Sequence, residues 1–195
     1  MQNSIKQILV ELEQFGVDND AHHIERSQRM LNITADTGAF LVTLLKAVNA
    51  QNILEIGASN GYSTIWLADA AQSVGGHVTT VELSEFKYQL AIDNFRRAGL
   101  QEQITAICGD ALMTLRQSES AGFDYIFLDS ERFLYVEWWP EIKRVLCPGG
   151  VLVIDNAISH ANEMQAFKDL LEDDADFTLC TVPVGNGELF ATYQP

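Results

Sequence analysis

Residues 52–63 read NILEIGASNGYS: a short apolar run, a turn holding Gly57 and Gly61, and the start of a helical pattern. An apolar run without alternation reads as a strand covered on both faces, and a glycine-rich turn into a helix opens a βαβ unit. The rhythm repeats outward from this point. Apolar runs recur at HVTTV (77–81), ITAIC (104–108), YIFL (125–128) and VLVI (151–154), with helical patterns over 63–71, 85–98, 112–117 and 140–146. Gly99, and Gly149 with Gly150, read as helix stops. Strands alternating with helices predict an α/β fold, a doubly wound and mostly parallel sheet with helices on both faces. The tail departs from this. FTLCTVPV (177–184), GNG and ELFATY (188–193) read as a hairpin whose last strand enters the sheet antiparallel, making seven strands in all.

Ahead of the first strand the chain reads as helices. Ile5, Ile8, Leu9, Leu12 and Phe15 fall on one helical face that Gly16 is expected to end, with VDND as a turn. A second short helix is expected over 24–31. A third carries Phe40, Leu41, Leu44, Leu45 and Val48 behind the capping residues Thr34 and Asp36. No repeat or low-complexity linker interrupts the 195 residues, so one domain is expected over 1–195, with helices in 1–50 covering the site and an α/β core in 51–195.

A formal net charge of −15 disfavours nucleic acid and anionic membrane as partners. The start, MQNSIKQILVELEQFG, has no basic n-region, and no apolar run approaches the ~18 residues of a membrane span. Cys108, Cys147 and Cys180 are odd in number and widely spaced, which suggests neither a disulfide framework nor a metal site. A cytoplasmic location is the expectation.

In a doubly wound sheet, ligands bind beyond the carboxyl ends of the strands. After the first strand come Gly57, Ala58, Ser59, Asn60, Gly61, Tyr62 and Ser63, preceded by Glu55. The glycines let the backbone approach a ligand, and the helix start offers free N–H groups to an anionic group. The spacing is GxxxG, neither the dinucleotide GxGxxG nor a phosphate loop. Glu82, with Leu83 after it, ends the second strand, where a carboxylate accepts ribose hydroxyls. Gly109, Asp110 and Ala111 follow the third, where a short carboxylate suits an adenine amino group. Other readings stay open: the glycines as turn and packing residues, Glu82 and Asp110 as helix caps, Tyr62 as packing. Asp129 follows the fourth strand, and Asp155 with Asn156 follows the fifth. Two carboxylates and an amide at adjacent strand ends suit a hard divalent cation, Mg²⁺ first, with Mn²⁺ or Ca²⁺ also admissible.

From residue 33 onward the chain resembles the cation-dependent small O-methyltransferases, the group of catechol and caffeoyl-CoA O-methyltransferases. The matching segments are TADTGAFLVTLLKAV, ILEIGASNGYST, VELSEFKYQLAIDNFRRAGL, GDAL, FDYIFLDSERFLYVEWW, LCPGGVLVIDNAISH and VPVGNGELF. The resemblance implies a Rossmann-like fold of the class I methyltransferases and S-adenosylmethionine as methyl donor. It further implies a small hydroxylated acceptor of catechol-like or phenolic type, and a cation on Asp129, Asp155 and Asn156. Cofactor contacts are implied at Glu55, Gly57, Ser59, Ser63, Glu82, Asp110, Ala111 and Asp129.

Two departures stand out. Where the family carries DADK, this chain has Asp129-Ser130-Glu131-Arg132, and arginine stabilises an anion without accepting a proton. The tryptophan after the Asp-Asn pair is replaced by Ala157-Ile158-Ser159-His160, which makes His160 a candidate base beside Asp129 and Arg132. Trp138 and Trp139 read as packing or a subunit interface, or as a stacking surface for substrate; with the amphipathic N-terminal helix they allow a homodimer. His22, His23 and His77 show no ligand spacing. Rival functions are a metal-independent methyltransferase and a non-catalytic cofactor binder. A nicotinamide dehydrogenase is disfavoured by GxxxG and by the hairpin.

Overall fold

The computed structural model describes residues 1–195. In chain order the elements are α1 (Asn3–His22), α2 (Ala35–Val48), β1 (Asn52–Ile56), α3 (Tyr62–Val74), β2 (His77–Glu82), α4 (Glu85–Ala98), β3 (Ile104–Cys108), α5 (Ala111–Gln117), β4 (Phe123–Leu128), α6 (Tyr135–Val145), β5 (Leu146–Ile154), α7 (Ala161–Asp173), β6 (Phe177–Val182) and β7 (Glu188–Tyr193). The seven strands form one sheet ordered β3-β2-β1-β4-β5-β7-β6. All neighbours through β5 are parallel, and β7 joins β5 antiparallel.

Alternate residues of a strand point to opposite faces, so each central strand feeds two cores. Ile53, Tyr125, Phe127, Val151 and Val153 pack under α1 to α4. Leu54, Ile56, Ile126, Leu128, Leu152 and Ile154 pack over α5 to α7. No helix is long and apolar enough to cross a membrane.

Several expectations need correction. Gly16 does not end α1, which continues to His22. A helix tolerates an interior glycine at a cost of about 1 kcal/mol. Here Gly16 is buried because the Asn32 side chain lies against it and donates to the Leu12 carbonyl at 3.0 Å. Residues 24–31 are not a helix. Only Arg26–Gln28 make a 3-10 turn, because Asp20 at the end of α1 captures the N–H groups of Met30 and Leu31 (2.6 and 2.9 Å) and holds that stretch out of a helix, with Leu31 at a φ of +53°. Thr34 caps α2 by accepting from Thr37 N, with Asp36 in the first turn. Gly149 and Gly150 stop no helix. They lie inside β5, where Gly149 takes a φ of +81° beside a register shift against β4. The helix before them runs over Tyr135–Val145, with Pro140 inside it. Helix α7, which buries Met164, Phe167 and Leu171, was not expected from the sequence. The tryptophan pair is packing: Trp138 is buried against Tyr135, and Trp139 sits between Phe167 and Phe177.

Candidate active site

The ladders of the central strands end on matched pairs: Ile56 with Leu128, Leu128 with Ile154, and Ile154 with Leu189. One step further in each register stand Gly57, Asp129, Asp155 and Glu188. They form a row across β1, β4, β5 and β7, on the face covered by α1 to α4. Asp129 N donates to Ile56 O (3.0 Å) and Asp155 N to Leu128 O (3.1 Å), which continues the sheet bonding into the row. Gly57 has a φ of +108°, and a Cβ there would overlap the Asp129 carbonyl oxygen.

Three carboxylates in a row cost energy, and their ionisation reflects it. Burial first, then the charges of Asp155 and Glu55, hold the Asp129 carboxyl well above the usual range against the pull of Arg132. Asp155 is raised by burial. Burial and Asp155 push Glu188 up to about 9. The Asn156 amide reaches both aspartates, donating to Asp155 Oδ2 at 2.7 Å and to Asp129 Oδ1 at 3.4 Å. Glu188, which keeps its proton, hydrogen-bonds the Asp155 carboxylate across the ladder. The acids lie along a line across the strands; no three of the His, Cys, Asp or Glu side chains converge into a ready cage.

Arg132 is buried beside the row, its Nε donating to Glu163 on α7 at 2.9 Å. His160 begins α7. Its Nδ1 meets Ser159 Oγ at 2.9 Å, and that hydroxyl donates to Asn156 Oδ1 at 3.1 Å. The loop carrying His160 is pinned to the hairpin turn, because Ala157 N bonds Gly187 O and Ser159 N bonds Asn186 O.

Next to the row lies the glycine turn. Glu55 is fully buried and receives the hydroxyls of Ser63, Thr64 and Thr80, so it ties β1, β2 and α3 together from behind the turn. Burial raises its carboxyl despite those three donors. Gly61 caps α3 with a φ of +86°, where a side chain would collide with Phe95. Tyr62 and Ala58 are buried, which fits the packing reading of Tyr62, and the turn is closed on itself: the N–H groups of Gly57 and Ala58 bond Val81 O, that of Ser59 bonds Glu82, that of Gly61 bonds Ala58 O and that of Tyr62 bonds Asn60 Oδ1. Glu82 accepts from Ser59 N and Ser84 N, both at 2.8 Å, leaving one acceptor direction on each oxygen. Asp110 is exposed and caps α5 through Met113 N at 2.9 Å. The capping reading of Asp110 is therefore correct, and it leaves the second oxygen open. Leu83, between Glu82 and Ser84, is exposed.

Residues 29–33 cross above the turn, and Ser59 Oγ donates to Met30 O at 2.7 Å. Between this strap and the turn is a cavity of about 10 Å³, room for about one water, bordered by Leu31, Ile33, Gly57, Ser63 and Asp129.

The structure thus brings Asp129, Asp155, Asn156, Arg132 and His160 to one end of the sheet, with the turn, Glu82 and Ala111 adjoining. Sequence reading missed Glu188, Glu163 and Asn60, whose backbone carbonyl takes Asn94 Nδ2 at 2.9 Å. Glu188 carried a signal, an acid opening the otherwise apolar strand ELFATY, but only the register sets it opposite Asp155.

Comparison with known proteins shows the family. The family model described as O-methyltransferase matches residues 3–191. The chain is 36 % identical over 129 residues to a catechol O-methyltransferase of Mycobacterium tuberculosis, covering 65 % of this chain and 57 % of that protein. It is 36 % identical over 137 residues to a catechol O-methyltransferase of Niastella koreensis, covering 69 % and 62 %. The matched stretch therefore spans less than two thirds of either relative. Among solved structures, an O-methyltransferase from Bacillus cereus in complex with SAH superposes with a TM-score of 0.78 at 26 % identity, over 100 % of this chain and 92 % of that one. The family model runs from α1 into β7, through every strand end described above, and the chain belongs to the O-methyltransferase family.

Proposed function

We propose that this chain, as a single domain with residues 1–50 laid over its site, is an S-adenosylmethionine-dependent O-methyltransferase. Its acceptor is a small hydroxylated molecule, catechol-like or phenolic, and it works with a divalent cation. The observation that carries the reading is the acid row abutting the glycine turn, with Asp129 and Asp155 held side by side by the Asn156 amide. Two carboxylates, and the amide oxygen once that amide is turned over, fit a hard cation, Mg²⁺ before Mn²⁺ or Ca²⁺. Asp129, Asp155 and Asn156 would hold it. When bound, the cation supplies charge that lowers the pKa of a coordinated phenol, and S-adenosylmethionine supplies the methyl group.

The chain's own residues supply position and proton handling. Gly57, Ala58, Ser59, Gly61, Tyr62 and Ser63 line the cofactor's amino-acid end, and of their N–H groups that of Ser63 is the one not already bonded within the turn or to its neighbours. Glu55 holds that turn in shape. Glu82 accepts the ribose hydroxyls, Leu83 covers the adenosine, and Gly109, Asp110 and Ala111 receive the adenine edge. Arg132, fixed by Glu163, stabilises the acceptor's oxyanion and keeps its own proton. His160 accepts the proton that the hydroxyl releases. Three free cysteines suit a reducing cytosolic compartment.

The direct test is transfer of labelled methyl from S-adenosylmethionine to caffeate, with Mg²⁺ and with EDTA. Transfer that stops in EDTA is expected. Transfer that survives EDTA removes the cation from the reading, and S-adenosylmethionine binding without transfer moves it to another acceptor or to a binding role. His160→Gln is expected to slow turnover about 10²-fold and to flatten its profile between about pH 6 and 9. An unchanged profile rules His160 out as base.

A further inference from the structure

We propose that residues 23–31 form a lid over the cofactor's amino-acid pocket, and that this segment swings outward to admit the cofactor. The proposal rests on the reading of the glycine turn as the cofactor site and adds how that site is entered. The space between the strap and the turn is about 10 Å³, room for about one water. A carboxylate, an ammonium and the carbon that joins them do not fit there. The floor of that space is fixed. The turn is bonded to itself and to β2, Gly57 abuts the Asp129 carbonyl, and Gly61 abuts Phe95. Entry therefore requires the roof to move.

The roof is suited to moving. It runs from the end of α1 at His22 to Asn32, whose side chain is tied to α1 by donating to Leu12 O at 3.0 Å. Residues 21–28 are all exposed, Ile24 to 98 %, and Met30 is the one buried residue of the lid. A segment with so little buried apolar surface opens easily. What holds it shut is polar. Asp20 accepts from Met30 N and Leu31 N at 2.6 and 2.9 Å, and Ser59 Oγ donates to Met30 O at 2.7 Å. Arg26 pairs with Glu131, two residues past Asp129, at 3.4 Å. Leu31 sits at a φ of +53°, which strains a residue with a branched side chain and which opening relieves. The closed form is thus held by a few ties against local strain, with Leu31 as the hinge.

The test is the rate at which the full chain takes up S-adenosylhomocysteine, a probe with the same amino-acid end and no methyl group to transfer. Stopped-flow tryptophan fluorescence follows uptake in wild type, Asp20→Ala and Arg26→Gln, and calorimetry gives the affinities. In wild type the observed rate is expected to level off as ligand rises, because lid opening becomes limiting. Asp20→Ala loses two bonds present only in the closed form and should raise that limiting rate about tenfold. Arg26→Gln loses an exposed ion pair and should raise it about threefold. Both variants should bind at least as tightly as wild type, whereas a general loosening of the site would weaken binding and speed only dissociation. If the ligand binds and neither variant takes it up faster than wild type, the lid is wrong and the cofactor reading stands. If calorimetry finds no binding, both fall.

Discussion

Asp155→Asn is expected to lower Mg²⁺-dependent methyl transfer about 10²–10³-fold while the fold persists, because it removes one fixed charge from the place where positive charge must be held against a developing oxyanion. Initial rates at saturating S-adenosylmethionine give the effect; a loss below tenfold would mean that Asp155 does not anchor the cation. Stability should move the other way. In the cation-free protein Asp155 faces Glu188, whose carboxyl is raised to about 9 from an ordinary 4.5. The folded state therefore keeps a proton that the unfolded chain gives up. That contribution is complete below about pH 4.5 and is lost as pH rises through about 9. Melting temperature in EDTA should thus fall as the wild type is taken from about pH 5 to about pH 9, and Asp155→Asn should flatten the fall by removing the facing charge.

Gly57→Ala is expected to have the second large effect, and on the fold itself. The residue has a φ of +108°, and its Cβ would enter the space of the Asp129 carbonyl oxygen, a backbone atom that cannot swing aside. Strain and displacement together should cost about 3 kcal/mol or more, or roughly 6–12 °C in melting temperature for a domain of this size. Because the displaced segment carries Asp129, cation affinity should fall with it. Gly99→Ala is the control. Its φ is +67°, yet nothing lies within 4 Å of the added carbon, so only backbone strain of about 1 kcal/mol applies. Calorimetry of the two variants side by side checks the argument, and equal melting temperatures would sink it.

Much of this architecture was legible without coordinates because its signals are local. The βα rhythm from residue 52, the Thr34 cap, the Gly99 stop and the hairpin tail each depend on a few neighbouring residues. The strand-end rule then put Asp129, Asp155 and Asn156 at one edge. Local reading failed where a distant segment outvoted propensity. Gly16 reads as a helix stop, but Asn32 fills the space beside it and the helix continues. Residues 24–31 carry a helical pattern, but the Asp20 carboxylate takes the backbone groups a helix would need. Helix α7 was missed although Met164, Phe167 and Leu171 fall at helical spacing, because three apolar positions are sparse among the charged residues around them.

The sequence by itself determined the α/β class, the order of the strands, and which of the parallel strands' ends carry acids, since hydrophobic period, caps and turn residues are written along the chain. Only the tertiary structure decided that Glu188 stands opposite Asp155, that Glu163 holds Arg132, and that Glu55 serves the turn from behind. Those are matters of register and of side chains meeting across about 25 to 150 residues, and a one-residue slip of β7 would turn Glu188 to the other face of the sheet.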